Sequence, residues 1–154
     1  MACSRLLPSL SHNHLGAEGA AALAPALAAN GSLTSLDLSN NQLCGLDYWG
    51  KGTFTTEGIT AIADALRVNG SLTSLNLGHN PLCGLDMYGE GTNTADGITA
   101  IADALRVNGS LTSLDLSKNQ LCGLDSLGRG TFTIQGITAI ADALRVNGSL
   151  TKIE

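Results

Sequence analysis

Two side-chain types in this 154-residue chain recur at a spacing that could build a reactive column. Cys44, Cys83 and Cys122 stand at equal intervals, each in the phrase Leu-Cys-Gly-Leu-Asp, and that phrase also carries Asp47, Asp86 and Asp125. On stacked parallel strands about 4.8 Å apart, such thiols could form a soft-metal or redox ladder, and such carboxylates could gather a hard cation. The chemistry needs more than this spacing supplies. No Cys-x-x-Cys pair and no histidine in register accompanies the thiols, and parallel side-chain vectors do not favour bridging. Hard cations want six or more oxygens, and the nearby Thr53, Thr92 and Thr131 offer too few. The expected roles are therefore packing of a small buried hydrophobe for cysteine and capping of loop amides for aspartate.

The remaining reactive types do not assemble either. His12, His14 and His79 do not all recur at one repeat position, and no nucleophile–base–acid set emerges. Gly50-Lys51-Gly52-Thr53 invites comparison with a phosphate loop, but it lacks the G-x-x-x-x-G-K-[ST] signature. The equivalent phrase in the next copy, Gly89-Glu90-Gly91-Thr92, reverses the charge. Asn30, Asn69, Asn108 and Asn147 each open a formal Asn-Gly-Ser glycosylation sequon, which their place at helix ends explains without sugar. The expectation is a non-enzyme with no catalytic residue, no cofactor and no metal.

What positions these residues is a repeat. Segments 32–70, 71–109 and 110–148 align without gaps as full 39-residue copies, and the first and third differ at only six positions. A shorter first copy spans 10–31, and 149–154 begins another copy, so 1–154 reads as a single array. The interval from Leu10 to Leu38 is shorter than that from Leu38 to Leu77, which makes the later copies a 28-residue unit carrying an 11-residue insertion. Each full copy carries L-x-x-L-x-L-x-x-N-x-L, as in Leu33, Leu36, Leu38, Asn41 and Leu43. The pattern resembles the leucine-rich repeat, and its 28-residue core G-x-x-A-x-A-L-x-x-N-x-S is similar to the ribonuclease-inhibitor type found also in NOD-like receptors and Ran GTPase-activating proteins. The resemblance implies an α/β solenoid, a horseshoe arc with a parallel concave β-sheet and convex α-helices.

Elementary patterning leads to the same elements. Leu36 and Leu38 alternate with Ser35, Asp37 and Ser39, the period of a half-buried strand. Ile59, Ile62, Ala63 and Leu66 follow the i, i+3, i+4, i+7 rule of one helix face. Thr55 or Thr56 suits the helix start, and Asn69-Gly70 suits a left-handed closure at its end. No unit can bury its leucines alone, so stacking must complete the core. Asn13, Asn41, Asn80 and Asn119 are expected to form an inward ladder, each amide pairing backbone groups at the strand exit that would otherwise be buried without partners. Cys44, Cys83 and Cys122 form a second structural column.

The bulk numbers limit the partner. The chain is 44% hydrophobic but only 14% charged, which rules out the composition of a disordered segment. Its net charge is −5 with no Lys/Arg cluster, which argues against nucleic acid or an anionic membrane. The Ala20–Ala29 run is too short to span a bilayer and contains Pro25. The first five residues lack a signal-peptide pattern, and the thiols are expected reduced, in the cytoplasm or nucleus. A protein is then the expected partner. The concave positions are small, whereas binding hot spots favour Trp, Tyr and Arg. Large side chains gather in the insertion, as Tyr48-Trp49, Met87-Tyr88 and Ser126-Leu127. We expect Tyr48, Trp49, Met87, Tyr88 and Leu127 to form an exposed contact patch, the competing arrangement being that they cover a small core of their own. A GTPase-activating role, implied only by the resemblance, and a spacer segment of a larger protein are the other readings. Arg5 and Pro8 stand where strand leucines would fall, which suits the start of an array, and Leu150 and Ile153 lack a following helix. Such an end is expected of a fragment of a longer product, or of a chain that self-associates through its C-terminal edge strand.

Overall fold

A computed structural model of the chain describes residues 8–47, 49–86, 88–124 and 127–154. The elements alternate: α1 (Gly16–Ala29), β1 (Ser35–Asp37), α2 (Glu57–Val68), β2 (Ser74–Asn76), α3 (Asp96–Leu105), β3 (Ser113–Asp115), α4 (Gln135–Leu144) and β4 (Lys152–Ile153). The strands form one parallel sheet in sequence order. Its register is set by the repeat: Leu36 lies beside Leu75, Leu75 beside Leu114, and Leu114 beside Ile153. Ser9 adds a parallel bridge to Asp37 ahead of β1; Arg5 lies outside the described residues.

The two hydrophobic periods face each other across the core. Leu36, Leu75 and Leu114 are buried from the strands, and Ile59, Ile62, Ala63 and Leu66 from α2, with the same set repeated in α3. This is the layering of a leucine-rich-repeat solenoid, with a parallel sheet on one side and helices on the other.

The helix ends depart from expectation. Thr56 occupies the cap position of α2 without a side-chain bond, and the neighbouring Thr55 hydroxyl accepts from the Glu57 N–H at 3.2 Å. At the other end Asn69 is extended, with φ −73° and ψ 121°, rather than left-handed. The reason is a side chain. The Asn69 Nδ2 donates to the carbonyls of Leu27 and Asn30 in the preceding repeat at 2.8 and 2.9 Å, while its Oδ1 accepts from Ser71 and Leu72 at 3.0 and 2.8 Å. Leu27 sits in the last turn of α1, where carbonyls have no partner within the helix. Asn108 repeats the arrangement on Leu66 and Asn69, and Asn147 on Leu105 and Asn108. The amide of each repeat closes the helix of the one before.

A second column runs along the strand exits. The Asn80 Oδ1 accepts from the N–H groups of Asn41 and Leu43 at 3.1 and 3.3 Å, and its Nδ2 donates to Leu38 and Leu77. Asn119 receives the Asn80 N–H at 2.9 Å, and Asn41 receives that of Asn13 at 3.0 Å. Asn41, Asn80 and Asn119 are buried, while Asn13, at the first rung, is exposed and turns its Nδ2 to the nearby Leu10 and Ser11 carbonyls. Hydroxyls add a third series: the Thr73 Oγ1 donates to Thr34, Thr112 to Thr73 and Thr151 to Thr112.

Cys44 and Cys83 pack in the core and Cys122 is half-buried, all three as free thiols. Burial, reinforced by the neighbouring Cys83, pushes the Cys44 thiol up to about 12. Burial and Cys122 push Cys83 up to about 11. Such thiols stay protonated and behave as small hydrophobes.

The asparagine and cysteine columns can each be tested by stability. Asn80→Ala strands buried donors and acceptors of two repeats, so urea unfolding will show a loss of at least about 3 kcal/mol, whereas Asn13→Ala costs under about 1 kcal/mol; equal losses would remove the ladder from the account. The thiols set a pH dependence. Unfolded, they ionise near the ordinary value of 9.0; folded, they hold their protons longer. The native state then binds more protons between about 9 and about 12, so this contribution is full below 9 and is lost as pH rises. Thermal melts will decline above pH 9, and Cys44→Ala, though less stable at neutral pH, will show a shallower alkaline decline; parallel slopes would contradict this.

Candidate interaction edge

Between strand exit and helix, each full repeat folds into a small antiparallel hairpin. Leu46 pairs with Gly52, Leu85 with Gly91, and Leu124 with Gly130. Its turn is tied by the recurring aspartate. The Asp47 Oδ1 accepts from the N–H groups of Trp49 and Lys51 at 2.9 and 2.8 Å, and the Asp86 Oδ1 from those of Tyr88 and Glu90 at 2.7 and 3.0 Å. Asp125 lies outside the described residues. Asp47 and Asp86 thus find their partners in loop amides, and among the described residues no three His, Cys, Asp or Glu side chains converge as a metal site.

The hairpins stack as the strands do. Gly50, at φ +78°, lies so close to the next hairpin that a Cβ there would stand 2.7 Å from the Cβ of Asp86. Gly84, at φ +69°, has the Phe54 ring over it, 2.8 Å from where its own Cβ would be. The third hairpin is joined to the second by Gln120, whose Nε2 donates to the Asp86 carbonyl at 2.8 Å, and by Asn93, whose Nδ2 donates to the Thr131 carbonyl at 2.7 Å. The aromatic that covers hairpin backbone is therefore Phe54, and its equivalents Asn93 and Phe132 differ for position-specific reasons. Asn93 replaces ring packing with a hydrogen bond. Phe132 is 63% exposed.

The tips point the other way. Trp49 is 58% exposed, Tyr88 48% and Leu127 74%, one on each successive hairpin. The Arg129 guanidinium lies 5.2 Å from the centre of the Tyr88 ring, within cation–π range, so the second and third tips share a contact. Tyr48 and Met87 lie outside the described residues. The sheet face offers less. Its strands are three residues or shorter, and its outward positions, Ser35, Asp37, Ser74, Asn76, Ser113 and Asp115, are small and half-buried. The Asp37, Asn76 and Asp115 side chains there are engaged with the N–H groups of Ser39, Gly78 and Ser117. His79 is held below the ordinary histidine range, first by burial and then by Lys118 and His12, so it is neutral at pH 7.

Sequence reasoning missed the asparagine column at the helix ends. Asn69, Asn108 and Asn147 were legible only as helix-end residues. The signal was present in the letter-for-letter recurrence of residues 58–75 as 97–114, which covers the segment whose side chains bond the preceding repeat.

Two leucine-rich-repeat profiles match the chain, one over residues 9–24 and the other over 32–50 and 110–129. No curated protein matches the sequence. Among solved structures, leiomodin-1 actin-binding site 2 is similar with a TM-score of 0.66 and 22% identity, over 97% of this chain and 70% of that one. The tropomodulin C-terminal domain of Caenorhabditis elegans is similar with a TM-score of 0.54 and 9% identity, over 90% of this chain and 62% of that one. At these identities the likeness is one of fold. The chain carries leucine-rich repeats, and its fold is a leucine-rich-repeat solenoid.

Proposed function

We propose that this chain is a non-catalytic protein-binding module whose partner contacts the row of hairpin tips. The observation that supports the reading is the exposure of Trp49, Tyr88 and Leu127 on three hairpins locked in register. Large aromatic side chains and arginine dominate binding energy at interfaces, and a row already ordered before contact spares the partner much of the entropic cost of docking. The repeats differ where contact would occur, with Trp49, Tyr88 and Leu127 at one position and Lys51, Glu90 and Arg129 at another. Identical repeats would present a periodic surface; these present an individual one. On this reading the hairpin is the 11-residue insertion into a 28-residue unit of the ribonuclease-inhibitor type, and Tyr48 and Met87 extend the patch. The expected setting is the cytoplasm or nucleus.

A pull-down with immobilised chain, with Trp49→Ala/Tyr88→Ala as the comparison, tests this. Actin, named for leiomodin-1, belongs among the purified proteins assayed alongside the extract. The double variant should weaken capture of the partner at least about a hundredfold, since each anchor is worth about 2 kcal/mol, and leave the melting temperature nearly unchanged. Retained binding together with a large drop in melting temperature would assign the two aromatics to packing and overturn the reading.

A further inference from the structure

Each helix closure contains one residue that the fold does not explain. The closing phrase reads Asn-Gly-Ser at Asn30, Asn69, Asn108 and Asn147. In the second and third copies the asparagine and the serine are accounted for by their bonds to the preceding repeat. The glycine is not. A Cβ at Gly31, Gly70, Gly109 or Gly148 would meet nothing within 4 Å, and none of the four has a left-handed φ. Neither space nor backbone conformation calls for glycine there. What glycine does supply is an unhindered backbone nitrogen, and that nitrogen directly follows an asparagine whose Cγ it can attack.

The reaction balances with water alone. The Gly70 nitrogen bonds to the Asn69 Cγ, and the bond from Cγ to Nδ2 breaks. The proton lost by the glycine nitrogen is matched by one gained by Nδ2, which leaves as ammonia. Water then opens the cyclic imide at either carbonyl, giving aspartate or its β-linked isomer, isoaspartate.

Folding decides when this can happen. In the closed helix end Asn69 is buried. Its Nδ2 donates to the Leu27 and Asn30 carbonyls, and its Oδ1 accepts from the N–H groups of Ser71 and Leu72. Ring closure makes Cγ tetrahedral and draws it toward Gly70, which disrupts this set of buried bonds at a cost to the folded state. Asn108, also buried, is held in the same way by Leu66, Asn69, Ser110 and Leu111. Once the reaction has run, the closure cannot re-form. A carboxylate has no proton to donate, so its oxygen would face the Leu27 and Asn30 carbonyls in a buried place, acceptor against acceptor. Isoaspartate also lengthens the main chain and moves the Ser71 and Leu72 N–H groups out of position.

We propose that Asn69-Gly70 and Asn108-Gly109 are deamidation sites masked by the fold, so that time spent unfolded is recorded irreversibly in the helix closures. The sites lie between stacked repeats and do not depend on the reading given for the hairpin tips.

Tandem mass spectrometry of the chain incubated in native buffer and in urea at the same pH tests this. Conversion at Asn69 and Asn108 should be at least about a hundredfold slower in the native buffer. On dilution from urea, the fraction that refolds should retain asparagine at both positions, and the fraction that fails should carry aspartate or isoaspartate. The variant Gly31→Ala/Gly70→Ala/Gly109→Ala/Gly148→Ala puts a Cβ beside each attacking nitrogen. It should keep at least the wild-type melting temperature, because each Cβ meets open space. Its conversion in urea should be about tenfold slower, and its refolding yield should outlast that of the wild type. Asn69→Asp, which installs the product directly, should melt about 10 °C lower. Equal conversion in the folded and unfolded chain, deamidated chains that refold as well as intact ones, or an Asn69→Asp variant that melts with the wild type would each overturn the proposal.

Discussion

A buried amide has two donors and an acceptor with two lone pairs, and each of them left unmatched on losing water is costly. The whole architecture rests on meeting that condition between repeats rather than within them. Asn69 and Asn108 each engage two carbonyls of the preceding repeat and two N–H groups of their own turn. Asn80 does the equivalent across the strand exits. Hydrophobic burial supplies the driving force for stacking, but leucines slide over leucines. The amides do not, because any shift in register breaks several buried bonds at once.

This constraint explains where the repeats are uniform and where they vary. Residues 58–75 and 97–114 are identical, and they hold the helix, its asparagine closure, the serine and threonine rungs and the start of the strand. The Asn, Ser and Thr side chains among them bond a repeat one period away. The hairpin answers to its neighbour through backbone packing, by Phe54 against Gly84 and Gly50 against Asp86. Its tip touches solvent and tolerates Trp49, Tyr88 and Leu127 in turn. A fixed scaffold with a variable rim is what a binding protein requires.

Much of this was legible in the sequence. The period, the alternation about Leu36 and the helical face of Ile59, Ile62, Ala63 and Leu66 specify strand, helix and stack, because burial patterns survive in one dimension. The strand-exit asparagines stood out for a related reason, as polar residues fixed amid leucines. What was not legible depends on contacts between distant residues. Asn69 next to Gly70 has the local signature of a left-handed helix end, and nothing local reveals that a carbonyl 42 positions earlier claims its side chain. The hairpin was also hidden. Its pairing is confined to Leu46 with Gly52 and their equivalents, too short for a period to show. Its orientation separates Phe54, turned over the next hairpin, from Trp49, turned outward, although both are aromatics of the same segment.

The central claim is that side-chain amides of one repeat hold the backbone of the one before it. Native-state hydrogen exchange followed residue by residue measures this most directly. The N–H groups of Asn41 and Asn80, which donate to side-chain oxygens one period away, should exchange only through global unfolding, as slowly as the most protected amides of α2 and α3. If they exchanged at the rate of the hairpin-tip amides while the helices stayed protected, the bonds between repeats would not be what holds the stack, and the account would fail.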